Sequence, residues 1–298
     1  MFTLEPVAAR YGQSLLNGDP GTKVWQSRIL GPYLVLTATK ITGLPFAKCH
    51  WIFAVGMLFF SNLIPFLIFR RLIENIHAVY ALVLLNAAGL VAVHPFNVLF
   101  DFDLIDFNTM FLFAYAVFFG MPLWGFILLF IVELLNREAA QLMALWLIID
   151  GLVSFGLGGK RLNILKAGIG VALLASGIAW TQFIRSYLIR VENHERDSNV
   201  THLSLGEAVM LKKNFEDLML PSLMLYSLLI ILVYLYVRFA RYKFVSWEQA
   251  LKVGLLLMAF LTALALFAIM SETRDWYEVI PFMVFMYMIP LGLAKGYK

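Results

Sequence analysis

Three aspartates at the start of an apolar segment are the residues of this chain whose types and spacing best suit chemistry. Asp101, Asp103 and Asp106 follow the pattern D-x-D-x-x-D. Carboxylates in this position can bind a hard cation, act as a general base, or hold a hydroxyl-rich substrate by hydrogen bonds. On a helix, Asp103 and Asp106 share a face from which Asp101 points away. The alternative interpretation is that these aspartates only cap a helix.

A basic residue and further acids follow one apolar hairpin later and again near the C-terminus. Arg137 stands beside Glu138 at the end of an apolar segment, and its planar guanidinium suits a phosphate. The alternative is an ion pair within one helix, because Glu133 lies four residues before Arg137. A third group combines charged residues with two aromatic residues of a type common at membrane interfaces: Glu272, Arg274, Asp275, Trp276, Tyr277 and Glu278. Of these, Arg274 is the best candidate for substrate contact.

The composition is that of a membrane protein. Of the 298 residues, 61% are hydrophobic and 14% are charged, whereas soluble proteins contain about 45–50% apolar and about 25% charged residues. The net charge of +4 does not indicate nucleic-acid binding, because the basic residues lie in short loops where they set membrane topology. The single cysteine, Cys49, excludes an internal disulfide and a cysteine-based metal cluster.

The apolar segments predict an all-α, polytopic transmembrane bundle with about nine membrane segments and an interfacial N-terminal helix. The segment 29–44 is interrupted by Pro32 and Lys40 and is shorter than the roughly 20 residues that a spanning helix needs, so we expect it to lie in the interface. The predicted spans are 51–69, 78–93, 107–119, 123–135, 139–156, 165–184, 220–237, 253–270 and 279–293.

Lysine and arginine in the short loops predict the orientation of these spans. If Arg70 and Arg71 are cytoplasmic, alternation places the other basic loop clusters on the same side: Lys160, Arg161, Arg238, Arg241, Lys243, Lys295 and Lys298. The candidate acids and arginines then gather on the extracytoplasmic side. The chain divides into an extracytoplasmic or interfacial segment, a first bundle with the acidic residues, an extracytoplasmic loop and a C-terminal three-helix bundle: 1–50, 51–184, 185–218 and 219–298.

Three short stretches carry a resemblance to a known family. The first is WQSRILGP at 25–32, the second is DFDLIDFN at 101–108 with NRE at 136–138, and the third is ETR at 272–274 with EVIP at 278–281. In this order they resemble motifs of bacterial polytopic glycosyltransferases of the GT-C type. That family uses polyprenyl-phosphate-linked sugars on the outer side of the membrane.

The resemblance implies an inverting transferase in which a carboxylate of the first outer loop is the base and basic residues hold the lipid phosphate. It assigns the sugar or acceptor contact to Asp101, Asp103 or Asp106. It assigns substrate binding to residues spread over the three stretches: Arg28, Arg137, Glu138, Glu272, Arg274 and Glu278. Members of the family usually have a spanning helix and a loop aspartate before the first stretch. Here only Glu5 and Asp19 precede it, so Asp19 is a further candidate for the base.

We therefore expect a multi-pass protein of the bacterial inner membrane that transfers a sugar from a lipid-linked donor. Membrane lipids and other membrane proteins are its expected partners, nucleic acid is not, and no cofactor is required, although the carboxylates suit Mg²⁺ or Mn²⁺. One alternative is a catalytically inactive relative that serves as a structural subunit of a larger membrane complex, since the usual first-loop aspartate is missing. Another is a transporter whose charges line a path through the membrane.

Overall fold

The structure is a computed structural model that describes residues 29–93, 101–157, 161–184, 231, 234–235, 246–267 and 279–288. The regular elements in these ranges are all α-helices, which confirms the all-α prediction. In chain order they are α1 (Leu30–Thr42), α2 (Phe46–Leu72), α3 (Ile76–Val93), α4 (Asp101–Phe119), α5 (Leu123–Leu134), α6 (Ala140–Gly156), α7 (Arg161–Phe183), α8 (Trp247–Phe267) and α9 (Ile280–Met288). The predicted loop 185–218 lies outside the described residues.

Two of the described helices are long and apolar enough to cross a membrane. They are Phe46–Leu72, which is α2, and Asn163–Phe183, which is most of α7. Others are apolar but shorter. The 12 residues of α5 extend about 18 Å at about 1.5 Å per residue, less than the roughly 30 Å of a hydrocarbon core. The part of the chain that the structure describes is therefore helical and includes two helices of spanning length, whereas the nine predicted spans are not confirmed.

Several helices begin earlier than the apolar pattern predicts. α4 begins at Asp101 and α8 at Trp247, so each takes in polar residues ahead of its predicted span, and α2 begins at Phe46 and runs across the boundary drawn at residue 50. Backbone hydrogen bonding extends a helix wherever the flanking side chains find partners or solvent, whatever their hydropathy. The predicted interfacial segment is α1, which ends where Gly43 takes the left-handed conformation, with φ 71°.

α4, the first described helix after the gap at 94–100, lies at the centre of the described bundle. After Thr109 its sequence is apolar on every side, as expected for a helix surrounded by other helices. α2, α5 and α9 pack around it. Its contact with α9 is aromatic, since the Phe285 ring lies 5.3 Å from Phe111 and 5.6 Å from Phe118. The acidic start of α4 is therefore anchored by a large apolar core.

A small polar cluster joins α4 to α2 and α3. Asn108 Nδ2 donates to Ser61 Oγ at 3.0 Å, and Asn86 Nδ2 donates to the Ser61 backbone oxygen at 3.1 Å. All three side chains are buried. Hydrogen bonds of this kind between apolar helices fix their register because a buried amide needs a partner.

Charged side chains join α8 to α6 and α7 at the other end of the bundle. Asp150 of α6 pairs with Lys166 of α7 and, at 2.6 Å, with Lys252 of α8. Ser154 Oγ donates to Glu248 Oε1 at 2.8 Å. One end of the bundle thus contains the start of α4, the turn after α5 and the end of α7. The other end contains the later part of α6 and the starts of α7 and α8. This agrees with the predicted alternation of these helices.

Glycines allow α6 and α7 to approach closely. A Cβ atom on Gly170 would lie 2.8 Å from the Ala144 backbone oxygen, and one on Gly151 would lie 2.5 Å from the Asn163 backbone oxygen. Real Cβ atoms essentially never come this close to backbone atoms. The two helices can therefore keep this separation only if both positions lack a side chain.

We expect Gly170→Ala to lower the stability of the helical bundle by about 1–3 kcal/mol, the usual range for overpacking. The matched control is Gly168→Ala on the same helix, where a Cβ would meet nothing within 4 Å. Thermal unfolding of the detergent-solubilised proteins, followed by circular dichroism, measures the difference. Equal midpoints for the two variants would contradict the close approach of α6 and α7.

Candidate functional site

The structure brings Asp103, Asp106 and Arg137 together. Arg137 Nη1 lies 2.7 Å from Asp106 Oδ2 and 3.9 Å from Asp103 Oδ1. The two aspartates therefore share one face of α4, as their spacing predicts. All three side chains are enclosed, with exposed fractions of 1% for Asp103, 0% for Asp106 and 8% for Arg137. A buried arginine next to two carboxylates forms a strong, charge-assisted contact between α4 and the turn after α5.

The turn between α5 and α6 aims the Arg137 side chain at α4. α5 ends at Leu134, and the backbone N–H of Arg137 donates to the Glu133 oxygen at 2.6 Å. The start of α1 supports the same turn, because the Leu30 N–H donates to the Leu135 oxygen at 3.0 Å. Backbone hydrogen bonds from α5 and α1 thus support the turn that carries Arg137. Arg137 lies beyond the last residue of α5, and its side chain contacts Asp106 and Asp103 of α4.

Glu133 is a site residue that the sequence interpretation missed. Its carboxyl group is fully buried and makes hydrogen bonds that reach α4. The Thr109 hydroxyl donates to Glu133 Oε2, and Asn136 Nδ2 donates to Oε1 at 3.5 Å. The available signal was an acidic residue inside an otherwise apolar helix, which is a functional-site hypothesis in itself.

A groove opens beside Arg137 at the end of α7. It is lined by residues from α5, the following turn and α7: Leu134, Arg137, Glu138, Trp180, Thr181 and Ile184. The groove has no enclosed room for a molecule as large as water, so it is a shallow surface depression and not a formed ligand cavity.

The remaining predicted site residues lie outside what the structure describes. Asp101 is the first residue of α4, and nothing is described of its side chain. The other five are outside the described ranges altogether: Asp19, Arg28, Glu272, Arg274 and Glu278. The three motif stretches were predicted to lie close together. Of the contacts expected between them, the structure describes one, which joins the start of α4 to Arg137.

The chemistry of the described site is that of three carboxyl groups around one guanidinium. Such a set can take up a proton, hold an anion through the arginine, or act as a general base. Within the described ranges, no group of three or more His, Cys, Asp or Glu side chains is placed to hold a metal ion. Comparison of the chain with protein families, with characterised proteins and with solved structures gave no match.

Proposed function

We propose that this protein is a membrane glycosyltransferase, or a close relative of one, that transfers a sugar from a lipid-phosphate donor on the extracytoplasmic side. The observation that supports this most is the position of Arg137. It is held by aspartates of α4 and lines a groove at the end of α7, one of the two helices of spanning length. A lipid phosphate lies at the membrane surface, and its contact with the Arg137 guanidinium would require the side chains that line this shallow groove to move apart.

In the proposed reaction, Asp103 takes the proton of the acceptor hydroxyl. The acceptor oxygen then forms a bond to the anomeric carbon of the sugar, and the bond from that carbon to the phosphate oxygen breaks. The electron pair stays on the phosphate, and Arg137 stabilises the added negative charge. Asp103 is preferred over Asp106 because it lies farther from the guanidinium, at 3.9 Å against 2.7 Å. Arg28 and Arg274 are proposed as further phosphate ligands, and Asp101 and Asp19 as alternatives for the base.

Asp103→Asn is expected to lower the transfer rate by about 100-fold or more, since general-base catalysis typically contributes about 10²–10⁴-fold. The side chain keeps its size, so the protein should remain folded. Release of free polyprenyl phosphate from a panel of polyprenyl-phosphate sugars, added to membranes that contain the protein and the native acceptors, measures transfer even though the acceptor is not identified. Glu74→Gln, an exposed acid between α2 and α3, is the matched control. Full transfer by the Asp103→Asn protein would exclude Asp103 as the base.

A structural subunit is the second candidate, and the enclosure of the site favours it. Asp106 and Glu133 have no exposed surface and are paired with Arg137 and Thr109, a pattern that also serves to hold helices together. In that case the chain should be required for transfer by an assembly that contains it, and Asp103→Asn should leave the transfer rate of that assembly unchanged. Transfer by the purified chain alone would exclude this candidate.

A further inference from the structure

A second polar contact joins α4 to the end of α5, beside the contact between Asp106 and Arg137. The Thr109 hydroxyl of α4 donates to Glu133 Oε2, and both side chains are buried. Thr109 follows Asp106 by three residues, so the two lie on the same side of α4. The Thr109 hydroxyl oxygen is also 2.9 Å from the Asp106 backbone oxygen. Glu133 is therefore attached to α4 next to the residue that Arg137 contacts.

Glu133 also shapes the turn that carries Arg137. Its backbone oxygen accepts hydrogen bonds from the backbone N–H groups of Asn136, at 2.9 Å, and of Arg137, at 2.6 Å. Its side-chain Oε1 accepts a further hydrogen bond from Asn136 Nδ2 at 3.5 Å. One residue thus connects the turn to α4 through its side chain and to Arg137 through its backbone.

The position of Glu133 along α4 decides which carboxylate the Arg137 guanidinium reaches. Arg137 Nη1 lies 2.7 Å from Asp106 Oδ2 and 3.9 Å from Asp103 Oδ1. Residues three apart on a helix are separated by about 4.5 Å along its axis, so a small shift of α5 along α4 would change these contacts. A buried carboxyl group resists such a shift, because the loss of its donor leaves it unsatisfied away from water. The contact with Thr109 therefore holds Arg137 level with Asp106.

We propose that Glu133 and Thr109 are positioning residues that place the Arg137 guanidinium for the lipid phosphate. This role rests on the proposed function, because Arg137 is the group assigned there to the phosphate. Negative charge grows on the phosphate as its bond to the sugar breaks, so a displaced guanidinium costs more in the transition state than in the bound ground state. The loss should therefore appear mainly in kcat and less in the KM for the lipid-linked donor.

The hydroxyl of Thr109 can be removed without a change in size, by Thr109→Val. In membranes that contain the native acceptors, kcat for release of polyprenyl phosphate should fall by about 100-fold, the cost of misplacing a group by about 1 Å. Thr109→Ser keeps the hydroxyl and should restore most of the rate. Thr262→Val is the matched control, since the Thr262 hydroxyl donates to the Met258 oxygen of its own helix on the exposed side of α8. A kcat of Thr109→Val equal to that of the wild type would overturn the proposal.

The placement of Arg137 can also be measured without transfer. Phenylglyoxal modifies arginine side chains, and mass spectrometry of the digested protein gives the rate at each of them. Arg137 is 8% exposed, so its modification should be slow in the wild type. It should be about 10-fold faster in Thr109→Val, because loss of a buried hydrogen bond favours local opening, and the exposed Arg70 is the internal reference.

This measurement separates the two proposals. A wild-type protein that transfers no sugar would contradict the proposed function, whereas an unchanged modification rate at Arg137 in Thr109→Val would contradict the positioning role. The rate at Arg137 has the same meaning whether or not the protein is a transferase.

A double variant separates placement from stability. Thr109→Val combined with Glu133→Met removes both sides of the hydrogen bond, so it should be more stable to chemical unfolding than Thr109→Val alone. If the two residues position Arg137, its modification stays fast and kcat stays low in the double variant. Recovery of slow modification and of kcat together with stability would show that the contact only holds the helices together, and would overturn the proposal. The double variant also takes the place of Thr109→Val if the single variant does not fold.

Discussion

Arg137→Leu is expected to destabilise the protein by about 3–5 kcal/mol, the usual cost of removing one partner of a buried ion pair. The 2.7 Å contact to Asp106 is lost, and the Asp106 carboxylate stays enclosed without its cation. Chemical unfolding in mixed micelles, followed by helix content, measures the change. In the same experiment, Arg137→Lys should be less harmful, because it keeps a positive charge but loses the planar guanidinium.

A double variant separates the charge from the packing. Arg137→Leu combined with Asp106→Leu removes both charges, so it should be more stable than Arg137→Leu alone. If the double variant is as unstable as the sum of the two single variants, the two residues do not interact and the described ion pair is wrong. The described ion pair would also be contradicted if Arg137→Leu lowered the free energy of unfolding by less than about 1 kcal/mol, the value typical of exposed ion pairs.

Phe285→Ala is the second change with a large expected effect, about 3–5 kcal/mol for a large side chain removed from a packed core. Phe285 has no exposed surface, and its ring lies within 6.1 Å of the ring of Phe69 and within 5.6 Å of those of Phe111 and Phe118. It attaches α9 to α4 and α2. Because α9 directly follows the segment 272–278, the same change should also weaken any function that needs this segment in place.

Phe59→Ala is the matched control for this experiment, since Phe59 is 61% exposed and its removal leaves no internal cavity. Its effect should stay within about 0.5 kcal/mol. Limited proteolysis between α8 and α9 provides a second measurement, because release of α9 should speed cleavage in Phe285→Ala but not in Phe59→Ala. Similar stability of the two variants would show that α9 does not pack against α4 as described.

Local sequence patterns were sufficient to predict the all-α class of the fold and part of the candidate site. The abundance of apolar residues predicts helices, and the i to i+3 spacing of Asp103 and Asp106 predicts their common face, because both depend only on the geometry of a single helix. The position of Arg137 at the end of an apolar segment placed it near the same end of the bundle. The helix starts were less accurate, since Asp101 and Trp247 belong to helices whose apolar parts begin later.

The partners of the buried charges could not be predicted in this way. Glu133 was interpreted from its neighbour four residues along, but it contacts Thr109, which is 24 residues away. The charged network of α6, α7 and α8 joins residues even farther apart in the chain. Within it, Ser154 donates to Glu248, which is 94 residues away. Hydropathy and helical spacing compare residues close in the chain, and they carry no information on which helices become neighbours.

By itself, the sequence determined that the chain is apolar, that its described part is helical, and that Asp103, Asp106 and Arg137 lie near the ends of apolar segments. These properties follow from local composition and from the period of the α-helix. Only the tertiary structure decided that Arg137 binds α4, that Glu133 accepts a hydrogen bond from Thr109, and that a shallow groove lies beside Arg137 at the end of α7. Those contacts exist because close packing of α4, α5 and α7 leaves each enclosed polar group only the partners that its neighbouring helices supply.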